Sequence, residues 1–117
     1  MKLRVIVETA ECFYYPDVMV SCSEKDRASH FREQPLLLAE VLSDSTERTD
    51  RFEKFAVYKT IAGLQEYVLL AQDVPQVEVF RRRNAWQLET FFMHDTITLE
   101  SVELTLPVAQ LYRRVKF

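Results

Sequence analysis

Three observations predict a mixed α/β (α+β) fold. The run Leu36-Leu37-Leu38-Ala39-Glu40-Val41-Leu42 is almost wholly apolar, which suits a strand covered on both faces. The stretch that follows, opening on Ser43-Asp44-Ser45-Thr46, carries helical periodicity. From residue 76 onward, short runs of β-branched and aromatic residues alternate with turn residues, the pattern of an antiparallel meander. The chain has 117 residues, enough for one domain with one core, so residues 1–117 read as a single domain.

The elements follow in order. Leu3, Val5 and Val7 alternate with Arg4 and Ile6, a first strand that begins almost at Met1. Residues 11–15 read as a short aromatic connection. Pro16 stops any helix, and residues 17–22 form a second strand. Residues 23–33 are charged and polar, a loop with at most one helical turn. Pro35 precedes the third and central strand. Ser45 or Thr46 suits a helix N-cap, and Glu47 then complements the helix dipole. Phe52, Phe55, Ala56 and Lys59 fall at i, i+3, i+4 and i+7, Ile61 and Ala62 complete that side, and Gly63 caps the end. Glu66-Tyr67-Val68-Leu69-Leu70 gives a further strand. Asp73-Val74-Pro75 is a turn, and residues 76–82, 86–93 and 96–102 are the meander strands. Pro107 opens a last helix that runs through Leu111 and Val115.

Composition removes several functions. The 48% hydrophobic content fits a globular chain rather than a disordered one. A single glycine rules out a glycine-rich phosphate cradle. No apolar run nears the roughly 20 residues of a membrane-spanning helix, and no secretory signal pattern opens the sequence, so a cytoplasmic location without membrane partners is expected. The net charge of -3 argues against non-specific DNA binding by bulk charge, though not against a local basic surface. Cys12 and Cys22 are too few for a disulfide framework and read as reduced thiols. His30 and His94 stand far apart without neighbouring ligands, which argues against zinc.

Glu40 is the anomaly. An ionised carboxylate in an apolar run loses several kcal/mol of hydration unless a cation, a hydrogen-bond network or a raised pKa compensates. Alternation puts it on the side of Leu38 and Leu42. Asp17 opens the strand before it. If the two strands are neighbours, two carboxylates meet at one sheet edge, the hard-oxygen arrangement that holds Mg²⁺ or Mn²⁺ with water and phosphate. Asp50 and Lys54 are spaced i, i+4 and share a helix face that can fold back to them, with Lys54 placed to support a reacting phosphate. Each residue also has a structural reading. Asp17 after Pro16 suits a turn, Glu40 suits a buried pair with an arginine, and Asp50–Lys54 suits a surface ion pair. Gln65 and Glu66 either add polar groups to the same edge or face water. Arg81, Arg82 and Arg83 either contact DNA phosphate or form a solvated strand tip. Trp86, Phe91 and Phe92 are core or interface before they are a base-stacking platform.

The set Tyr15-Pro16-Asp17-Val18, Leu38-Ala39-Glu40-Val41-Leu42-Ser43, Asp50-Arg51, Glu53-Lys54 and Gln65-Glu66-Tyr67-Val68-Leu69 resembles the Uma-two family of restriction endonucleases. Val77-Glu78-Val79-Phe80 and the stretch from Leu106-Pro107 to Tyr112 resemble the family's tail. The family looks like a branch of the PD-(D/E)XK nuclease superfamily, which implies a restriction-endonuclease-like mixed central sheet and Mg²⁺- or Mn²⁺-dependent hydrolysis of DNA phosphodiesters. The resemblance implies that Asp17 and Glu40 hold the metal and that Lys54 is catalytic, with Asp50 or Glu66 in support. The superfamily's lysine falls at Leu42, and Lys54 looks like its displaced replacement. Family members usually carry an N-terminal helix and hairpin, with an acidic residue, ahead of the strand that opens this sequence. The resemblance therefore implies an N-terminally shortened member with one sheet face left uncovered, and hence a homodimer. The rival expectation is an inactive nuclease-fold protein serving as an interaction, DNA-binding or structural dimer module.

Overall fold

A computed structural model of the chain describes residues 2–22 and 31–113. The first strand, β1 (Leu3–Val7), pairs antiparallel with β2 (Ala10–Tyr14), in register from Leu3 opposite Tyr14 to Val7 opposite Ala10. The stretch expected as a connection is thus the second arm of a hairpin. Its turn carries no sequence cue, because the left-handed position is taken by Glu8, at φ 58°, and not by glycine or asparagine.

The main sheet follows. Strand β3 (Val18–Val20) lies antiparallel to β4 (Leu37–Val41), which lies parallel to β5 (Glu66–Leu70). Antiparallel strands β6 (Gln76–Arg81) and β7 (Leu88–Phe92) complete the order β3-β4-β5-β6-β7. The parallel β4–β5 pair requires a crossover, and the predicted helix supplies it. The meander is therefore β5-β6-β7. Strand β8 (Thr96–Leu99) leaves the sheet and pairs instead with β9 (Leu104–Pro107) as a separate hairpin. A short helix, α2 (Val108–Leu111), follows Pro107. The loop residues 23–30 and Val115 of the predicted last helix lie outside the described residues.

The crossover helix differs from its sequence reading in start, end and phase. Ser43 acts as the cap. Its carbonyl accepts the Glu47 N–H at 2.9 Å, while Thr46 Oγ1 accepts the Ser43 N–H at 3.2 Å, one arm of a capping box with threonine in the glutamate role. A wide π-helical turn, Thr49–Lys54, leads into α1 (Phe55–Tyr58). Gly63 is not a left-handed cap, since no glycine has positive φ. Arg82 closes the end instead, donating to the carbonyls of Ile61 at 2.6 Å and Leu64 at 2.7 Å. Phe52, Ala56 and Lys59 face water. The buried stripe is Asp50, Tyr58 and Ile61, with Lys54 and Phe55 half-buried between them.

Alternation along β4 feeds two cores. Leu38 and Leu42 join Tyr67, Leu69, Tyr58, Ile61, Leu64, Leu3 and Val5 on the face under the helix and the β1–β2 hairpin. Leu37 and Ala39 join Val68, Val77, Val79, Ile97, Val108 and Tyr112 on the face under β8–β9 and α2. Among the described residues the central strands are thus covered on both faces within one chain, and no uncovered sheet face is seen. Exposed apolar side chains include Val18 on β3 and Leu88 and Phe92 on β7, at the sheet edges, with Val41 at the end of β4 and Ile6 and Phe13 on the β1–β2 hairpin. Among the described residues no helix is long and apolar enough to cross a membrane.

Glu103 is solvent-exposed and left-handed, at φ 53°. A Cβ there is strained, and glycine relieves the strain at some cost in unfolded-chain entropy. Glu103→Gly is expected to raise stability by roughly 0.5–1 kcal/mol in urea unfolding.

Candidate active site

The site lies at the end of the sheet where β4 runs into the crossover helix. The β3–β4 register places Val18 opposite Ala39, and one further step places Asp17 opposite Glu40. Residues directly opposite point to the same face, so the two carboxylates share one. Asp17 Oδ2 accepts the Val41 N–H at 2.7 Å, which fixes the carboxylate against the strand end. Its second oxygen takes no hydrogen bond among the described residues.

Glu40 is 4% exposed, on the helix side of β4 with Leu38 and Leu42. No arginine pairs with it among the described residues. Lys54 Nζ stands 3.8 Å from its Oε2, and the Tyr58 hydroxyl reaches its Oε1 at 3.4 Å. Burial pushes the Glu40 carboxyl up to about 7. Lys54 pulls it back down, while the carboxylates of Asp50 and Asp17 add to the rise. All three compensations open to a buried carboxylate are therefore in use together.

Lys54 is anchored by Asp50, its i−4 neighbour, with Nζ 2.9 Å from Oδ1. Asp50 is almost wholly buried at 1% exposure. The ammonium approaches off the direction of a good hydrogen bond, so Oδ1 has charge compensation but no aligned donor. Burial works against the lysine's charge, but Asp50, Glu40 and Asp17 outweigh it and hold its pKa above the ordinary lysine value. Lys54 remains a cation across the physiological range. Tyr58 sits beneath, packed edge-on against Tyr14 of β2 and Tyr67 of β5, each at 5.3 Å between ring centres. Burial and then the Glu40 charge push its hydroxyl far up, so it stays a proton donor to Glu40.

Asp17, Glu40, Asp50 and Lys54 thus come together. Glu66 does not. It lies three residues back along β5 from Leu69, the partner of Glu40, which puts it on the opposite face and toward the other end of the sheet. There it forms a buried ion pair with Arg81 and accepts the N–H groups of Glu100 at 3.1 Å and Ser101 at 2.8 Å. This network ties the β8–β9 connection to the main sheet and leaves Glu66 no free oxygen for the site. The arginine run is equally committed. Arg81 is 3% exposed, Arg82 donates to backbone carbonyls, and the exposed Arg83 chelates Glu100 at 2.6 and 2.7 Å. Arg81 cannot reach a phosphate at all. Trp86 packs edge-on to Phe55 with Arg82 over its ring, Phe91 packs into the second core, and Phe92 is exposed.

The donor chemistry at Asp17 and Glu40 fits a hard divalent cation. Both offer carboxylate oxygens, and the cluster holds three acidic groups against one lysine. Among the described residues no group of three or more Asp, Glu, His or Cys side chains is placed to hold a metal ion, so the protein would offer two carboxylates at most. The arrangement suits an ion that keeps much of its water, as Mg²⁺ does.

A five-stranded mixed sheet with one parallel pair, a crossover helix on one face and a terminal hairpin on the other define a restriction-endonuclease-like fold. The chain belongs to the Uma2 family, described as "Putative restriction endonuclease", whose sequence profile matches residues 2–109. It is 31% identical over 118 residues to the uncharacterized protein slr1290 of Synechocystis sp. (strain ATCC 27184 / PCC 6803 / Kazusa), covering 98% of this chain and 62% of the relative. It is 39% identical over 83 residues to sll1609 of the same organism, covering 68% of this chain and 47% of that one. The chain thus spans about half to three-fifths of the length of these relatives. In structure it resembles a "putative nuclease belonging to DUF820" from Anabaena variabilis ATCC 29413, with a TM-score of 0.55 and 23% identity, over 71% of this chain and 46% of that one. That likeness shows the fold.

Sequence reasoning missed Tyr58, Tyr67, Arg51 and Glu78 around the site. Glu78, a carboxylate between Val77 and Val79, carries the same signal that flagged Glu40. The tyrosines resemble ordinary core residues and offer no comparable cue.

The elevated Glu40 pKa has a definite consequence for stability. The folded state holds this proton up to about pH 7, whereas an unfolded glutamate releases it near 4.5. Between those values the folded state binds more protons, so stability falls as pH rises and the loss is complete above 7. The full loss is up to about 3 kcal/mol. Glu40→Gln is expected to remove this slope, so that urea unfolding at pH 5 and pH 8 differs less than in the wild type.

Proposed function

We propose that the chain is a metal-dependent nuclease that hydrolyses DNA phosphodiester bonds at the Asp17–Glu40–Lys54 site. The observation that carries this reading is the convergence of two carboxylates on adjacent strands with a lysine borne by the following helix. Asp17 and Glu40 would hold Mg²⁺ or Mn²⁺. Such an ion would neutralise the phosphate and acidify a water molecule.

The protein's own groups have distinct tasks in this reading. The Val41 N–H holds one Asp17 oxygen, and the other takes no hydrogen bond among the described residues. Tyr58 orients Glu40 through Oε1 and leaves Oε2 toward Lys54. The Lys54 ammonium, kept charged by the carboxylates, stabilises negative charge as it grows on the phosphoryl oxygens. Asp50 lies too deep to meet DNA and serves to aim Lys54. The superfamily position at Leu42 belongs to the core, so a lysine is supplied from the helix instead. Family membership supports DNA as substrate.

Nicking of supercoiled plasmid in the presence of Mn²⁺ tests this reading. Wild-type protein is expected to nick, and Glu40→Gln and Lys54→Met to lose about 100-fold or more of the rate, the scale typical of a transition-state charge contact. Equal rates in wild type and Glu40→Gln would show that the activity comes from a contaminant and would leave the rival reading, an inactive nuclease-fold module, in its place.

A further inference from the structure

The first turn of the helix that carries Lys54 puts an aromatic side chain in water and a carboxylate inside. Phe52 is 66% exposed, while Asp50, two residues earlier, is 1% exposed. Burying a phenylalanine is worth about 1.5–3 kcal/mol, so some other interaction holds this rotation. Turning Phe52 inward would carry Lys54, two residues on and roughly on the opposite side of the π-helical turn, away from Glu40.

Downstream, Phe55 on Phe80 and the buried Tyr58 and Ile61 oppose this turn by apolar packing; at the turn that carries Lys54 itself the opposing contacts are polar. The Arg51 guanidinium grips both oxygens of Glu78, with Nη1 2.7 Å from Oε2 and Nη2 against Oε1. Its Nε reaches Glu47 at 2.9 Å. The Tyr67 hydroxyl donates to the Asp50 carbonyl at 2.9 Å within the π-helical turn. Glu78 is itself buried at 5% exposure. In the sheet register Glu40 lies opposite Leu69, and Leu69 opposite Glu78. The two carboxylates therefore stand in one row on one face, two strands and about 10 Å apart. The helix crosses above that row and sets Lys54 over one carboxylate and Arg51 over the other.

We propose that Glu78, acting through Arg51, is a positioning residue that fixes the rotation of the crossover helix and thereby presents Lys54 to Glu40 and Asp17. The mount has two points, one at the site and one remote from it. A two-point guanidinium–carboxylate contact suits the remote point because its planar geometry defines an orientation, which an apolar contact does not. The catalytic consequence rests on the nuclease reading; the placement of Lys54 does not.

The double variant Arg51→Met with Glu78→Leu separates positioning from mere adhesion. Replacing a buried ion pair by apolar groups of similar volume commonly preserves or raises stability. The melting temperature is therefore expected to be kept. Acetylation of Lys54 by a small acylating reagent, followed by peptide mass spectrometry, is expected to run several-fold faster, with exposed Lys59 as the internal control. In Mn²⁺-dependent plasmid nicking, kcat is expected to fall about 10- to 100-fold with KM for DNA little changed, the scale of a catalytic group displaced by about 1 Å. Should the double variant not fold, Arg51→Lys keeps the charge without the two-point geometry and is expected to show the same effects in weaker form. Unchanged Lys54 reactivity in a folded variant overturns the proposal. Raised reactivity with unchanged kcat overturns its catalytic part. If the wild type does not nick at all, the nuclease reading fails on its own, and Lys54 reactivity still decides the mount.

Discussion

Glu40 lies next to the end of β4, against a core of leucines and tyrosines, and Lys54 is the cation that makes its place there tolerable. The contact at 3.8 Å is too long for a hydrogen bond and acts through charge. A carboxylate left alone at that depth would give up its charge, and even with Lys54 beside it the group is pushed up to about 7. The crossover helix must therefore arrive with its ammonium over β4. Asp50 braces that ammonium, Tyr67 and Arg51 brace the turn that holds Asp50 and Lys54, and Ser43 and Thr46 set where the helix begins. The exposed Phe52 is part of the cost of this arrangement.

Much of the site could be read from residue order because it depends on strict periodicities. Side chains alternate along a strand, so Glu40 had to share a face with Leu38 and Leu42. Antiparallel neighbours then set Asp17 opposite it, and i, i+4 spacing set Asp50 beside Lys54. Pairing partners, in contrast, are long-range facts that local pattern does not encode. Residues 11–15 look like a connection until β1 is known to need a partner. Strand β8 looks like a meander strand until β9 takes it away. The helix phase departs from the sequence pattern for a related reason. Phe52, Phe55, Ala56 and Lys59 form a reasonable amphipathic stripe, but ionic contacts with two distant strands override it, and such local conflicts concentrate at functional sites.

The charged residues of β5 and β6 show the limit from the other side. Glu66 and Arg81 are directly opposite each other in the register, and each is almost fully buried. In one dimension they resemble strand-end charges in water. In three they neutralise one another under the β8–β9 connection and join two parts of the fold. Position along the strand separates Glu66 from Glu40: an odd number of residues reverses the face. The carboxylates of this sheet therefore divide into a remote ion pair, a mount for the helix, and a site.

The central claim is that Asp17 and Glu40 grip a cation jointly. Anomalous diffraction at the manganese edge, from crystals grown with saturating Mn²⁺ above pH 7.5, tests it most directly. One manganese is expected, bound to both carboxylates at the roughly 2.1 Å typical of small hard cations. Full-strength anomalous signal elsewhere in the molecule, with none between Asp17 and Glu40, would contradict it.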